Sequence, residues 1–599
     1  MIRMLKRADP LRYRSRSHGR SLLAFVAVAL AVAGCTRAAP LAATLAPDIG
    51  KRAVGENGMV ASAHPLASEA GLTVLQEGGN AVDAAVATAF AIGVVEPEMS
   101  GVGGSGAMLV WREHEHHADF LDFYASQPLA SFRAAHAVGR DSAAPLRVVG
   151  VPGNVAGLLL AQEKFGRLTR AQVMAPAIRL AQDGFPMYPV LASMIERDTV
   201  RLTRDSAARS LFLSNGKPLG LGEHYANPAL ARVLRTIAEQ GRDGFYHGWV
   251  AHDVVARMNG GGHPVTETDF AAYNPIWRRP LCATYNGRVL LSAPPPEGGM
   301  QVLETVQLID PVTATSFGLP SRDARAFDLF ASAMRVGQTG NRANGDPRWS
   351  AVPARGTISD AFVQQRRAYV AQGHVSGSIT AADARAFDVQ PSPSACERYD
   401  PYGAAPAAVS TEAQREGPSG GETTHISVVD REGNAVAVTV TNSSVFGSGA
   451  AVDGFFLNNS GGTITQAELD RPNAPAWLTR ITTIAPTLVM RDGAVEMVVG
   501  SPGGGLIPLA ISQSIWYVLD YGLDPLAALR MPRISPNAGT TRVEVEDGID
   551  PPVLAAARAM GYEPVPPGFE YARVYTIVRR DGRWIGAADP RHDGQVRGY

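Results

Sequence analysis

The sequence predicts a mixed α/β fold, and two kinds of segment support this prediction. After Asn80, a good helix N-cap with Asp83 three residues on, residues 81–94 are almost wholly apolar, as in a helix buried on most sides. Gly78 and Gly79 end the helix before it. Strand-like runs occupy residues 108–111, 288–291, 436–440, 488–499 and 574–577.

The first 35 residues have the pattern of a targeting segment and stand apart from the fold. Basic residues precede an apolar run, residues 22–33, that is too short for a permanent membrane-spanning helix. The run ends in Val-Ala-Gly-Cys, which resembles a bacterial lipobox whose Cys35 becomes the lipidated amino terminus. We therefore expect a lipid-anchored protein on the periplasmic side of the cell envelope, with residues 36–47 as the tether. An ordinary signal peptide or an uncleaved anchor is the alternative.

Composition argues against nucleic acid as a partner and leaves open whether two cysteines form a disulfide. The formal net charge is -1, so there is no electrostatic case for binding nucleic acid. Apart from Cys35, the cysteines are Cys282 and Cys396. An oxidising compartment permits a disulfide between them, but the sequence does not decide it. Neither cysteine lies in a motif typical of a nucleophile.

The most informative segment is a hairpin that begins at Thr423. Residues 424–429 and 435–441 are two β-type runs, and the turn between them carries the Gly and Asn that a tight reversal needs. The stretch before it, residues 390–422, is rich in Pro, Ser, Ala and Gly, which is typical of a mobile segment. If the chain is cut before Thr423, the freed α-amine, with a pKa near roughly 7.7–8.0, can act as base for the threonine hydroxyl. On local grounds alone, purely structural threonines are the alternative.

Further blocks rich in Gly, Pro and small residues follow one another along the chain: Gly58-Met-Val-Ala-Ser-Ala-His-Pro, Gly78-Gly-Asn-Ala-Val-Asp, Ser100-Gly-Val-Gly-Gly, Gly150-Val-Pro-Gly, Ala293-Pro-Pro-Pro, Phe446-Gly-Ser-Gly, Leu457-Asn-Asn, Gly500-Ser-Pro-Gly-Gly and Ala588-Asp-Pro-Arg. In this order, with the Thr423 segment, they resemble the γ-glutamyltransferase (glutathione hydrolase) family over about residues 48–599. The resemblance implies an N-terminal-nucleophile hydrolase with an αββα sandwich. It also implies a precursor that cuts itself between Glu422 and Thr423 into a large subunit, residues 48–422, and a small catalytic subunit, residues 423–599.

The resemblance assigns catalytic roles by position. Thr423 resembles the nucleophile, and Thr441 resembles the second threonine whose hydroxyl touches it. Strand alternation supports the pair, because it predicts that Thr439, Thr441 and Ser443 share one face of the strand that returns beside Thr423.

The other retained positions are a pair of glycines and a pair of hydroxyl residues. Gly503 and Gly504 resemble the family's oxyanion-hole glycines, which suit that role because a side chain would obstruct the approach of a substrate to backbone N–H groups. Thr482 and Thr483 replace the two serines that bind substrate in the family.

The rest of the substrate site departs from the family pattern. Tyr124 occupies the position of the arginine that binds the substrate α-carboxylate. Ser443 replaces an asparagine, and the neighbouring Asn442 should point to the opposite face. Ser460 and Thr463 stand where the family has the glutamine and aspartate that hold the α-amino group. The sequence therefore predicts intact amide-cutting residues beside a site without the γ-glutamyl clamp.

Two rival sites are less well supported. The run Gly103-Gly-Ser-Gly-Ala loosely resembles a serine nucleophile elbow, but a strand, not a helix, is predicted after it. The cluster from His114 to Asp119 could bind a metal, although a solvated hairpin turn is the simpler interpretation. No metal or organic cofactor is implied.

The sequence is compatible with three candidate functions. The family default is hydrolysis or transfer of a γ-glutamyl group from glutathione-like small molecules, through an acyl-enzyme that water or an amine acceptor releases. The missing arginine and aspartate favour an alternative, an acylase on amides without the α-amino group, resembling the cephalosporin (glutaryl) acylases. An inactive lipoprotein that uses the fold for binding is the third. The retained catalytic residues argue against it.

Overall fold

The computed structural model describes residues 49–137, 145–214, 216–348, 350–371, 379, 382–388, 393–399, 423–464, 469–470, 474–568 and 572–599. The predicted targeting segment and tether, including Cys35, lie outside the described residues, as do Glu422 and most of the stretch before it. In the described part, no helix has both the length and the apolar character needed to cross a bilayer.

Two antiparallel sheets of seven strands each form the centre of the fold. The first sheet has the strand order Ile276–Arg278, His117–Phe123, Ser105–Arg112, Ala435–Thr441, Thr423–Asp430, Gly58–Ser62 and Gln595–Gly598. The second has the order Arg52–Gly55, Arg583–Ala588, Tyr575–Arg580, Ala494–Gly500, Thr487–Arg491, Arg288–Ser292 and Leu281–Tyr285. The two sheets pack face to face, and the central strands of the first are buried along their whole length.

Helices cover the outer face of each sheet. Pro65–Gln76 and Ala81–Val95 pack on the first sheet, while Gly299–Gln307 and Ile507–Ile515 pack on the second. The layers are therefore helix, sheet, sheet, helix, which confirms the predicted αββα sandwich. Further helices lie around this centre: Leu129–Ala137, Asn154–Phe165, Arg170–Asp183, Pro189–Leu202, Ser206–Phe212, Pro228–Gln240, Gly248–Gly260, Pro311–Phe317, Ala324–Gly340, Asp360–Val370, Pro525–Arg530 and Pro551–Ala559.

The apolar helix predicted after Asn80 is confirmed and is one residue longer than expected. The Asn80 side chain accepts hydrogen bonds from the N–H groups of Val82 and Asp83, and the Asp83 carboxylate accepts one from Asn80 N–H. This capping box satisfies donors that a helix start otherwise leaves unpaired. Every residue of Ala81–Val95 is buried, since the helix lies between the first sheet and outer helices.

The predicted Thr423 hairpin is also confirmed. Its strands Thr423–Asp430 and Ala435–Thr441 pair so that Thr423 lies opposite Thr441. In the turn, the Asp430 carboxylate accepts from the N–H groups of Glu432 and Asn434, each at 3.0 Å. Its second oxygen accepts from Ala81 N–H at 2.9 Å, which ties the turn to the start of the buried helix.

The strand-like run at residues 488–499 divides into two strands. Thr487–Arg491 and Ala494–Gly500 are antiparallel neighbours, joined by Asp492 and Gly493, which both have positive φ. An Asp-Gly pair between two apolar runs is a strong hairpin signal. The division places the carboxyl end of the second strand, Gly500, against His425 of the Thr423 hairpin.

Three other details answer questions that the sequence left open. Cys282 and Cys396 form a disulfide, which joins the strand Leu281–Tyr285 to the short 3₁₀ helix Ser394–Tyr399. A strand, Ser105–Arg112, follows the glycine-rich run at residue 103, so the serine elbow does not form. The cluster from His114 to Asp119 lies at a hairpin turn, and no metal-binding group of three such residues occurs in the described ranges.

Candidate active site

The centre of the site is a contact between two threonine hydroxyls. Thr423 is the first residue of its strand, and its hydroxyl donates to Thr441 Oγ1 at 3.3 Å. Both side chains are buried. The pair follows from the hairpin register, because residues directly opposite in an antiparallel pair bring their side chains together. The structure therefore places the two predicted threonines in contact.

His425 lies two residues further along and shows which face of the strand Thr423 occupies. Its Nδ1 is 2.8 Å from Thr439 Oγ1, and its Nε2 is 3.1 Å from Ser427 Oγ. A Cβ on Gly500 of the second sheet would lie 2.2 to 2.6 Å from the imidazole ring. Thr423 and His425 thus face the second sheet, and burial lowers the pKa of His425 to about 3, which keeps the ring neutral.

The predicted oxyanion glycines follow the strand that contacts His425. Gly503 and Gly504 have φ values of 128° and 54°, and they connect Ala494–Gly500 to the helix Ile507–Ile515. A Cβ at Gly503 would lie 2.6 Å from the Cβ of Ala572. Both the backbone conformation and this close approach require glycine. The loop therefore begins directly after the strand whose last residue, Gly500, packs against His425.

Thr482 and Thr483 support the glycine loop. The Thr483 hydroxyl donates to the carbonyl oxygen of Gly504 at 2.8 Å. Thr482 N–H donates to the carbonyl oxygen of Pro296 at 3.1 Å, which fixes the segment that holds Thr483. Thr483 therefore acts on the loop itself, a role that the sequence did not predict.

Three of the predicted substrate residues form a row of neutral hydroxyls next to Thr441. Tyr124 OH is 3.1 Å from Ser443 Oγ, which is 2.9 Å from Ser460 Oγ. Ser443 N–H donates to Thr441 Oγ1 at 2.7 Å, so the row connects directly to the threonine pair. Thr463 is a further predicted substrate residue, and its side chain lies outside the part of the chain that the structure describes.

The prediction that strand alternation places Ser443 beside Thr441 is wrong. Ser443 does not continue the face of Thr439 and Thr441, because the strand ends at Thr441 and Ser443 has a φ of 72°. The left-handed turn, not strand alternation, brings the serine back to Thr441. Asn442 points away as predicted, with its side-chain amide donating to the carbonyl oxygen of Pro97 at 3.1 Å.

Known proteins resemble this chain over most of its length. The family model described as Gamma-glutamyltranspeptidase matches residues 67–599. The chain belongs to the γ-glutamyltranspeptidase family. It is therefore an enzyme of the N-terminal-nucleophile hydrolase class, as the sequence predicted, and the interpretation as an inactive binding protein gains no support.

Relatives of two kinds are similar to this chain. The glutathione hydrolase proenzyme of Bacillus subtilis (strain 168) is 32% identical over 91% of the chain and 92% of its own length. The acylase ACY 1 proenzyme of Pseudomonas sp. (strain SE83) is 28% identical over 91% and 94%. Among solved structures, the cephalosporin acylase from Bacillus halodurans has a TM-score of 0.76 at 27% identity, covering 92% of this chain and 97% of its own.

An acidic pair lies behind the threonines of this family member, on the helix side of the first sheet. Thr424, which faces away from Thr423 by strand alternation, donates its hydroxyl to Glu96 Oε2 at 3.0 Å. Glu98 is fully buried nearby, and burial together with the Glu96 carboxylate raises its pKa well above the ordinary value. This contact anchors the residue next to Thr423 and was not predicted from the sequence.

A buried ion pair holds the segment against which Gly503 packs. Asp589 binds Arg533 and Arg591, and it accepts from Val574 N–H at 2.9 Å. Arg533 in turn donates to the carbonyl oxygen of Ala572. Burial alone would raise the pKa of Asp589, but the two guanidinium groups outweigh it and hold that pKa well below the ordinary value.

We predict that Asp589→Asn lowers the free energy of unfolding by about 3–5 kcal/mol at pH 7, because Arg533 is left buried without its counter-ion. The pKa of Asp589 is depressed in the folded state, so its contribution is present above the ordinary value of 3.8 and is lost as pH falls below it. Chemical denaturation at pH 7 and pH 3 should show a smaller difference between wild type and variant at pH 3.

The matched control is Glu432→Gln, which removes an exposed pair with Arg167 and should cost less than about 1 kcal/mol at either pH. A difference between wild type and Asp589→Asn that stays the same at pH 7 and pH 3 would contradict the assignment.

Proposed function

We propose that this family member is a threonine amidohydrolase that acts through Thr423. The observation that carries the proposal is the 3.3 Å contact between the Thr423 and Thr441 hydroxyls at the start of a buried strand. A cut before Thr423 frees an α-amine on the same residue, which can remove the hydroxyl proton at neutral pH. Thr441 holds Thr423 Oγ1 in position for attack.

The reaction then has two stages. Thr423 Oγ1 attacks the amide carbon, the amine leaves with a proton, and an acyl-enzyme ester remains. Backbone N–H groups at Gly503 and Gly504 stabilise the oxyanion, since preorganised donors are worth about 3–4 kcal/mol each in such sites. Water, or an amine acceptor, attacks the ester and releases the acyl group. No step requires a metal ion or an organic cofactor.

The cut that activates Thr423 is self-cleavage between Glu422 and Thr423. It divides the chain into a large subunit, residues 48–422, and a small subunit, residues 423–599. The names of the Bacillus subtilis and Pseudomonas relatives, both proenzymes, support processing from a precursor.

The acyl group that the site favours lacks an α-amino group. Tyr124, Ser443 and Ser460 are neutral and bonded to one another, so they offer no carboxylate to an ammonium group. Desolvating that charge without a partner costs several kcal/mol. The cephalosporin acylase at TM-score 0.76 supports this substrate class.

Hydrolysis of γ-glutamyl compounds such as glutathione is the second candidate. The specific observation in its favour is the 32% identity with the Bacillus subtilis glutathione hydrolase proenzyme. Thr482, Thr483 and both glycines are compatible with either donor, so the two candidates differ only in the acyl group that is bound.

We also propose that the mature enzyme is held at the periplasmic side of the cell envelope through lipid on Cys35. The Val-Ala-Gly-Cys sequence after a short apolar run supports this location.

Self-cleavage is the first test of the mechanism. Purified precursor should yield a large fragment that ends at Glu422 and a small one that begins Thr-Thr-His, as measured by intact mass spectrometry. Thr423→Ala should remain one chain, while the conservative Thr423→Ser, which keeps a hydroxyl, should still be cut. A wild-type protein that stays uncut after prolonged incubation would sink the proposal.

The preference of the enzyme for a glutaryl or a γ-glutamyl donor is tested with p-nitroanilide substrates. We expect wild type to have a kcat/KM for the γ-glutamyl anilide about tenfold or more below that for the glutaryl anilide, from one unmet charge. Tyr124→Arg combined with Thr463→Asp should shift the ratio towards γ-glutamyl. Tyr124→Arg with Thr463→Asn is the matched control without the new carboxylate. Efficient γ-glutamyl turnover by wild type, without glutaryl activity, would establish the second candidate instead.

Lipidation is tested by cell fractionation. Cys35→Ala should move the protein from the membrane fraction to the soluble or unprocessed pool, because the thiol that carries the lipid is removed. An unchanged distribution would show that Cys35 is not the anchor.

A further inference from the structure

The strand that begins with Thr423 is paired unevenly at its start. On one side, pairing with Ala435–Thr441 begins at Thr423 itself. On the other side, pairing with Gly58–Ser62 begins only at Ser427. The residues before Ser427 therefore extend beyond one of the two neighbouring strands. Within the sheet as the structure describes it, strand pairing holds them on one side only.

In the cut enzyme, this unevenly paired start is also a chain end. Its first residue, Thr423, carries both the attacking hydroxyl and the α-amine that acts as base, and it has lost its peptide bond to Glu422. Chain ends are poorly ordered unless other contacts hold them. Small displacements of reacting groups cost a large part of the rate. A contact that holds this end would therefore act on the reaction.

Glu96 supplies such a contact from the helix side of the first sheet. Its Oε2 accepts a hydrogen bond from the Thr424 hydroxyl at 3.0 Å, and both side chains are fully buried. Its Oε1 lies 3.7 Å from His592 Nδ1. The Glu96 N–H donates to the carbonyl oxygen of Ile92 at 2.7 Å, and its carbonyl oxygen accepts from Met99 N–H at 3.0 Å. The carboxylate therefore binds the second residue of the strand from a fixed backbone.

One helix binds the strand near both of its ends. Ala81 N–H, at the start of the helix Ala81–Val95, donates to Asp430 Oδ2 at 2.9 Å, at the far end of the strand. Glu96, directly after the same helix, binds Thr424 at the near end. A helix of 15 residues is about 23 Å long and a strand of 8 residues about 27 Å, so the two lengths nearly match. The buried helix therefore fixes where the strand begins and where it ends.

We infer that Glu96 is a positioning residue for the reaction: through the Thr424 hydroxyl it holds the cut end of the strand, and with it the hydroxyl and α-amine of Thr423. This inference rests on the proposed function and deepens it. Thr424 faces the helices and Thr423 faces the second sheet, so Glu96 lies behind the strand, away from the acyl group. Loss of the contact should therefore lower kcat and leave KM unchanged.

The experiment measures p-nitroanilide hydrolysis per molecule of cut enzyme, with the better of the γ-glutamyl and glutaryl donors. We expect Thr424→Val to lower kcat by about tenfold, the effect of one lost hydrogen bond to a charged group, with KM changed by less than about twofold. Thr424→Ser, which keeps a hydroxyl, should stay within about threefold of wild type. Glu96→Met should match Thr424→Val. Glu96→Gln, whose amide oxygen still accepts, should fall between Glu96→Met and wild type.

A double variant separates positioning from general damage. Glu96→Met and Thr424→Val remove the two halves of one contact, so together they should lower kcat by about tenfold, whereas independent effects would multiply to about a hundredfold. Self-cleavage should slow by less than about threefold in each single variant, because Thr423 is still joined to Glu422 in the precursor. A merely structural role would lower both rates alike. If Glu96→Met does not fold, the comparison of Thr424→Val with Thr424→Ser decides the inference.

The matched control is Thr88→Val, which removes a buried hydroxyl that donates to the carbonyl oxygen of Ala84 at 2.7 Å within the helix Ala81–Val95. It should leave kcat and self-cleavage unchanged. Wild-type kcat in Thr424→Val, a double variant about a hundredfold below wild type, or equal loss of kcat and self-cleavage overturns the inference while the proposed function stands. Wild type that stays uncut, or that hydrolyses neither anilide, overturns the proposed function and the inference with it.

Discussion

The register of one hairpin governs everything else at this site. Thr423 and Thr441 meet because their strands pair without a slip, and the Asp430 turn fixes that pairing by binding both its own backbone and the start of the helix Ala81–Val95. A shift of one residue would turn Thr423 towards the helices and bring Thr424 to the face between the sheets. The fold therefore protects the register with buried strands on both sides.

The second constraint is electrostatic. The hydroxyl row beside Thr441 has no charge of its own, whereas the carboxylate of Asp122, two residues before Tyr124, is paired with Arg278. Neutral groups that bond to one another can remain dry at little cost, but they cannot stabilise an isolated buried ion. The row therefore offers an acyl group hydrogen bonds from hydroxyls and no charge of its own.

Much of the fold follows from local sequence, and the exceptions have a common cause. The Ala81–Val95 helix and the Thr423 hairpin were predictable because their caps, turn residues and periodicity lie close together in the chain. The Cys282–Cys396 bond and the contact between Tyr124 and Ser443 depend instead on contacts between distant segments. Ser443 was misjudged because its left-handed turn overrides strand alternation.

The order of strands has a consequence for any molecule in which the chain is cut before Thr423. In the first sheet, strands from before the cut flank Ala435–Thr441 and Thr423–Asp430 on both sides, and Gln595–Gly598 closes the edge. In the second, Arg288–Ser292 pairs with Thr487–Arg491 across the same division. The surface between the two peptides is thus the hydrophobic core and its backbone ladders. In such a molecule the two peptides cannot exchange with those of another molecule without unfolding. The two peptides that come from one precursor therefore stay together.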